Sequence, residues 1–250
     1  MAKPGDSLDR KVGDGLPPLG PPLSRGEAPR AIVLDLDDTL YPERAYVFSG
    51  FDAVSRAFQG DLGDPSASAA DMRRLFDSPH RARVFDVLLE ERKRGVDRSL
   101  VQRMVSTYRG HSPGIWLHAD AERALSRWRG RFRLGLITDG RSADQWAKID
   151  ALGLRSRLDP IIMTEEMGEG NAKPHLAPFE EMARRLGVDP RRCSYVADNP
   201  MKDFLAPNQL GWMTIRVWRA DGIYRDASAP SGGEARFEVA TLDEVDALLG

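Results

Sequence analysis

Short apolar runs alternate along this chain with stretches of helical spacing. Ala31–Ile32–Val33–Leu34 is too short for a helix and stops abruptly at the carboxylates of D-L-D-D-T-L. A buried parallel strand that delivers polar groups at its C-terminal end has this pattern. Comparable runs recur at Leu134–Thr138, Pro160–Thr164, Ser194–Ala197 and Met213–Val217. Between them, Trp146, Ile149 and Leu152–Gly153 close one helical stretch, and Phe179, Met182, Ala183 and Leu186–Gly187 another. Each ends in the glycine typical of a helix C-terminus. Thr241-x-x-Glu244, ahead of Val245, Leu248 and Leu249, predicts a last helix through a capping box. The alternation predicts an α/β fold: a doubly wound, Rossmann-like parallel sheet with helices on both faces. Its ligand crevice would lie beyond the C-terminal ends of the strands.

Two stretches break the rhythm. Residues 1 to 29 carry repeated Gly and Pro, few large apolar side chains and no period, which predicts a disordered tail. From residue 43 to 113 the apolar positions keep helical spacing only: Tyr46, Val47, Phe51, Val54 and Phe58, then Val84, Phe85, Leu88 and Leu89, then Leu100, Val101, Met104, Val105 and Tyr108. Turn signals fall at Gly60–Pro65, Ser78–Pro79 and Gly95. This predicts an all-helical insert over 43–113, hinged near Pro113–Gly114, within a core made of 30–42 and 114–250.

Composition narrows the classes. With 36 basic and 38 acidic side chains, the formal net charge of −2 argues against a broadly basic nucleic-acid surface. The lone Cys193 excludes an internal disulfide and a cysteine-based zinc site, which suits a reducing compartment. No apolar run approaches the roughly 18 residues of a membrane span, and the first residues lack the apolar stretch of a secretory signal. The expected setting is cytoplasmic, with no membrane or nucleic-acid partner; nothing in the sequence fixes an oligomeric state. Only six of the 36 basic residues are lysines, which coding bias explains most simply.

Four segments fall at ends of expected strands: Asp35-x-Asp37-x-Thr39, Thr138–Asp139–Gly140, Lys173–Pro174, and Asp198–Asn199 with Asp203. Each alone is weak, but their order and placement carry weight together. Clustered acids repel one another unless a cation sits among them. A hard ion such as Mg2+ prefers carboxylate, carbonyl and phosphate oxygens, and it also neutralises a dianionic phosphate monoester that would otherwise resist anionic attack. Asp38 reads as loop support, Asp139 and Asn199 as turn residues, His175 as a cap, and Cys193 as inert core.

In these four motifs the chain resembles the haloacid dehalogenase-like hydrolases, with the helical insert in the position of that family's first-type cap. V-A-D-N-P-M-K-D-F running into Gly211–Trp212–Met213–Thr214 resembles the fourth motif and the strand after it. One departure is the loop E-E-M-G-E-G-N-A-K-P, slightly longer than the family pattern, which bears on the reach of Lys173. The resemblance implies that Asp35 is a nucleophile forming an aspartyl-phosphate, and that Asp37 is its proton donor and acceptor. It further implies Mg2+ held by Asp35, the backbone carbonyl of Asp37 and Asp198, with Asp203 as a further or water-mediated ligand. Thr138, the backbone near Asp139 and Gly140, and Lys173 would hold the phosphoryl oxygens. The expected activity is a Mg2+-dependent phosphatase for a small phosphorylated metabolite such as a sugar phosphate, phosphoglycolate-like acid or nucleotide. A phosphomutase, a haloacid dehalogenase and a noncatalytic phosphate-binding regulatory module stay open as alternatives. An acid at the position of Asp37 disfavours the dehalogenase, because halide departure needs no proton donor.

Overall fold

The computed structural model describes residues 28–92, 95 and 97–249. The expected tail therefore lies outside the described residues up to position 27. In chain order the elements are β1 (Ala31–Leu34), α1 (Glu43–Ala57), α2 (Gln59–Leu62), α3 (Pro65–Phe76), α4 (Val84–Glu91), α5 (Arg98–Arg109) and α6 (Ala119–Trp128). Then follow β2 (Arg133–Thr138), α7 (Ser142–Ala151), β3 (Ile161–Met163), α8 (Ala177–Leu186), β4 (Cys193–Ala197), α9 (Leu205–Gln209), β5 (Met213–Val217), β6 (Phe237–Val239) and α10 (Leu242–Leu249).

The sheet is parallel throughout, in the order β3-β2-β1-β4-β5-β6. β1 is its centre, and all four of its residues are buried. Successive side chains of a strand point to opposite faces. Ile32 and Leu34 accordingly join one core with Trp128, Ile149 and Val245, while Ala31 and Val33 join a second with Phe179, Met182 and Tyr195. Helices α6, α7 and α10 thus cover one face and α8 and α9 the other, the doubly wound arrangement the sequence predicts.

Among the described residues every element between β1 and α6 is helical. Asp64 caps α3 by accepting from the Ala67 N–H at 2.7 Å, with Pro65 in its first turn, and Asp97 caps α5 by accepting from the Ser99 N–H at 2.9 Å. Within the expected Gly60–Pro65 turn the chain breaks at Gly63, φ 77°, and Asp64, while the first part of the stretch joins a helical turn, Gln59–Leu62, with Leu62 buried at 4% exposure. Besides α2, four elements lie outside the expectation. These are α3, whose buried face includes the small Ser68 and Ala69, the strongly amphipathic α6, the five-residue α9, and the three-residue β6. Among the described residues no helix is long and apolar enough to cross a membrane.

Candidate active site

From β1 the chain winds outward to β2 and β3, then crosses back to β4 on the other side of β1. The loops leaving β1 and β4 therefore diverge and leave a crevice at the switch point. A cavity of about 320 Å3 lies here. Of the residues singled out in the sequence, Asp35, Asp37, Thr138, Asp139, Gly140 and Asp198 line it. Lys173 and Asp203 stand behind that wall, with no exposed side-chain surface.

Asp35 directly follows β1, and its N–H donates to the Val196 carbonyl at 3.0 Å, so pairing with β4 fixes its backbone. Its Oδ1 accepts from Lys173 Nζ at 2.6 Å. The same ammonium donates to the Tyr195 hydroxyl at 3.0 Å and lies 2.7 Å from Asp203 Oδ1. The longer loop before Lys173 therefore does not limit its reach. Burial alone would lower the Lys173 pKa, but Asp203 and Asp35 outweigh it and hold the group well above the ordinary lysine range.

Asp35, Asp198 and Asp203 each offer an oxygen within 4.8 Å of the others, and all three are buried. One ammonium does not balance three carboxylates. Burial, partly offset by Lys173 and reinforced by Asp203, pushes Asp35 up to about 7. Burial and repulsion from Asp203 and Asp35 drive Asp198 well upward too. Asp203 Oδ1 has no hydrogen-bond partner apart from its ionic contact with Lys173. A buried, undercompensated set of carboxylate oxygens is the donor chemistry of a hard divalent cation, and the residues fit one.

Asp37 stands apart from this group. Its carboxylate accepts from the Tyr41 hydroxyl, from Lys148 Nζ at 2.7 Å and from Gln145 Nε2 at 2.9 Å. Burial would raise it, but the Lys148 ammonium and these donors prevail and hold it below the usual carboxylate range. Its side chain is thus engaged by donors of its own, outside the group formed by Asp35, Asp198 and Asp203.

The neighbouring acids serve the loops. Asp38, at φ 50°, accepts from the Glu43 N–H at 2.8 Å and the Ile223 N–H at 2.7 Å. Asp139 accepts from the Thr164 hydroxyl at 2.8 Å, the Lys173 N–H at 3.1 Å and Lys202 Nζ at 2.7 Å. Asn199 donates its N–H to Asp203 Oδ2 at 3.0 Å, and Thr138 Oγ1 accepts from Gln145 Nε2 at 2.5 Å. Gly140 sits at φ 113°, which side-chain residues rarely adopt, so this part of the wall is bare backbone. His175 Nδ1 accepts from the Ala177 N–H at 3.2 Å at the start of α8, and burial pushes the Cys193 thiol up to about 12.

Several wall residues carry no motif signal: Glu43 and Tyr46 from α1, Gln145 and Lys148 from α7, and Tyr224; Lys202 also lines the wall and lies inside the stretch that resembles the fourth motif, where no role was assigned to it. One signal existed in the composition. All three lysines among the described residues, Lys148, Lys173 and Lys202, belong to this site.

Comparison with known proteins places this geometry. Residues 29–211 match the model of a family described as haloacid dehalogenase-like hydrolase. A glyceraldehyde 3-phosphate phosphatase of Methanopyrus kandleri is 30% identical over 206 residues, covering 79% of this chain and 86% of that protein. Among solved structures, a haloacid dehalogenase-superfamily hydrolase of Geobacter sulfurreducens superposes with a TM-score of 0.64 at 20% identity, covering 91% of this chain and 99% of its own. A hydrolase of Bacillus subtilis bound to magnesium superposes with a TM-score of 0.62 at 18% identity, covering 89% and 99%. These two support the fold.

Proposed function

The chain belongs to the haloacid dehalogenase-like hydrolase family, and on that premise we propose that it is a Mg2+-dependent phosphatase acting on a small phosphomonoester through an aspartyl-phosphate on Asp35. A sugar phosphate, a phosphoglycolate-like acid and a nucleotide are the substrate classes that suit a small polar cavity. The observation that carries the reading is the separation of two kinds of carboxylate at one switch point. Asp35 sits in the undercompensated cluster with Asp198 and Asp203, while Asp37 is held apart by its own donors. A dehalogenase has no use for the second arrangement.

Asp35, Asp198, Asp203 and the Asp37 carbonyl would hold the metal. When bound, Mg2+ supplies charge neutralisation for the carboxylates and for the phosphoryl oxygens. The rest falls to the protein. Asp35 attacks phosphorus as the bond to the leaving oxygen breaks, and Asp37 gives that oxygen its proton. Water then attacks the phosphorus of the aspartyl-phosphate, Asp37 takes its proton, and Asp35 is released with inorganic phosphate. A dianionic phosphoryl group beside Asp37 opposes the pull of Lys148 and raises its proton affinity for the first step. Thr138, the backbone of Asp139 and Gly140, and Lys202 face the cavity where phosphoryl oxygens would lie. Lys173, behind the wall, holds Asp35 and offsets the acid cluster.

Residues 43–113 would act as a cap over the core segments 30–42 and 114–250, hinged near Pro113–Gly114. Glu43 and Tyr46 of α1 already reach the cavity wall, which supports a lid that excludes water during attack. The test is phosphate release from a panel of phosphorylated metabolites. Turnover is expected with Mg2+, lost in EDTA and lost in Asp35→Asn; unchanged turnover in that variant would sink the nucleophile assignment.

A further inference from the structure

Helix α7 places Gln145 and Lys148 one turn apart, so both side chains emerge on the same face. Both meet the Asp37 carboxylate, at 2.9 and 2.7 Å. Lys148 is buried to 6% exposure, an unusual position for a lysine without a partner to hold its charge. Its second neighbour belongs to the helical insert: Nζ lies 4.4 Å from the centre of the Tyr46 ring. A cation at that distance from an aromatic face is attracted by the ring quadrupole, more strongly when water is excluded. One ammonium therefore touches the carboxylate on the core side and an aromatic ring on the cap side. Asp35 and the acid cluster are held by a different lysine, Lys173.

We propose that Lys148 is a positioning residue for proton transfer: it holds the Asp37 carboxylate where it meets the leaving oxygen, and it ties that placement to the cap through the ring of Tyr46. The inference rests on the phosphatase reading, in which Asp37 delivers its proton as the P–O bond breaks and regains one from water. Lys148 neither gains nor loses a bond to phosphorus in either step. It sets where the carboxylate is when the proton moves, and a small misplacement of a reacting group costs rate steeply. Because Tyr46 comes from α1, the carboxylate reaches its working position most fully when the cap lies against the core.

Proton donation matters for a poor leaving group and little for a good one, so the test compares kcat/KM on an alkyl phosphate with kcat/KM on p-nitrophenyl phosphate. In Lys148→Met the alkyl substrate is expected to lose on the order of 10²-fold, while the aryl substrate loses less than about threefold and inhibition by inorganic phosphate is unchanged. Lys148→Arg should recover much of the alkyl activity. Equal losses on the two substrates, weakened inhibition by phosphate, or no loss on either would overturn the proposal. Should Lys148→Met fail to fold, Tyr46→Leu carries the test: a severalfold loss confined to the alkyl substrate supports the link, and an equal loss on both overturns it. Asp37→Asn separates the two levels. If that variant shows no leaving-group dependence, the role of Asp37 fails and takes this inference with it. If it does and Lys148→Met does not, the inference alone fails.

Discussion

Lys202 lines the cavity together with Lys148, and its ammonium lies 2.7 Å from Asp139 Oδ2. Burial and the nearby Lys173 would strip its proton, but Asp35, Asp203 and Asp139 outweigh them and keep the charge in place. A fixed cation beside the expected phosphoryl position binds ground state and transition state alike. Lys202→Met should therefore raise KM about 10- to 100-fold, the equivalent of losing a charged hydrogen bond, with a smaller change in kcat. Steady-state kinetics on one phosphomonoester checks this; a fall in kcat at constant KM would move Lys202 into the chemical step. The acids at this scale were legible in the sequence because a strand end fixes their direction. The role of Lys148 was not, nor that of Lys202, although Lys202 lies inside the stretch resembling the fourth motif: a lysine on a helix or loop ordinarily reads as solvated, and only the path of the chain shows these two turned inward. The one trace of Lys148 was the scarcity of lysine.

At the scale of elements, the cap is pinned by contact between α1 and α5. A Cβ added to Gly50 of α1 would come within 2.5 Å of the Tyr108 ring of α5. That ring also packs against Tyr46, Phe51 and Phe85 and has little room to yield. Gly50→Ala is expected to destabilise by about 1–3 kcal/mol through overpacking. Gly60→Ala, where the added methyl meets open space, should not destabilise. Urea unfolding of the two variants checks the contrast, and equal midpoints would contradict it. Strands β1 and β5 were readable to the residue, because a buried parallel strand is a short apolar run with sharp ends. β6 was not, since three residues whose pairing is supplied by β5 carry too little pattern of their own. The helical turn at Gln59–Leu62 escaped for a related reason: Gly60 signals a turn, and burial of Leu62 decides which kind.

Over the whole molecule, a net charge of −2 conceals a sharply uneven distribution. Three buried carboxylates converge at the switch point, and every described lysine lies within the same site. A second ionic joint holds the frame around it. Arg219 donates to Asp120 Oδ2 at 2.7 Å and to the Thr39 carbonyl at 2.9 Å, while the same Asp120 oxygen accepts the Leu242 N–H at 2.7 Å. The motif loop after β1, the start of α6 and the start of α10 are thus fastened together. The sequence disclosed the α/β class and the motif loops, but this joint depends on residues 99 positions apart that no local pattern relates. The frame presents Asp35 to the cavity, and the proposal turns on Asp35 being the group that becomes phosphorylated. Mixing the protein with a turned-over phosphomonoester and Mg2+, quenching in acid within the first turnover, and sequencing the peptides by mass spectrometry tests it directly. One phosphoryl group on Asp35, absent in Asp35→Asn and accumulating when Asp37→Asn slows its hydrolysis, is the predicted result; free phosphate released at full rate with Asp35 never modified would contradict it.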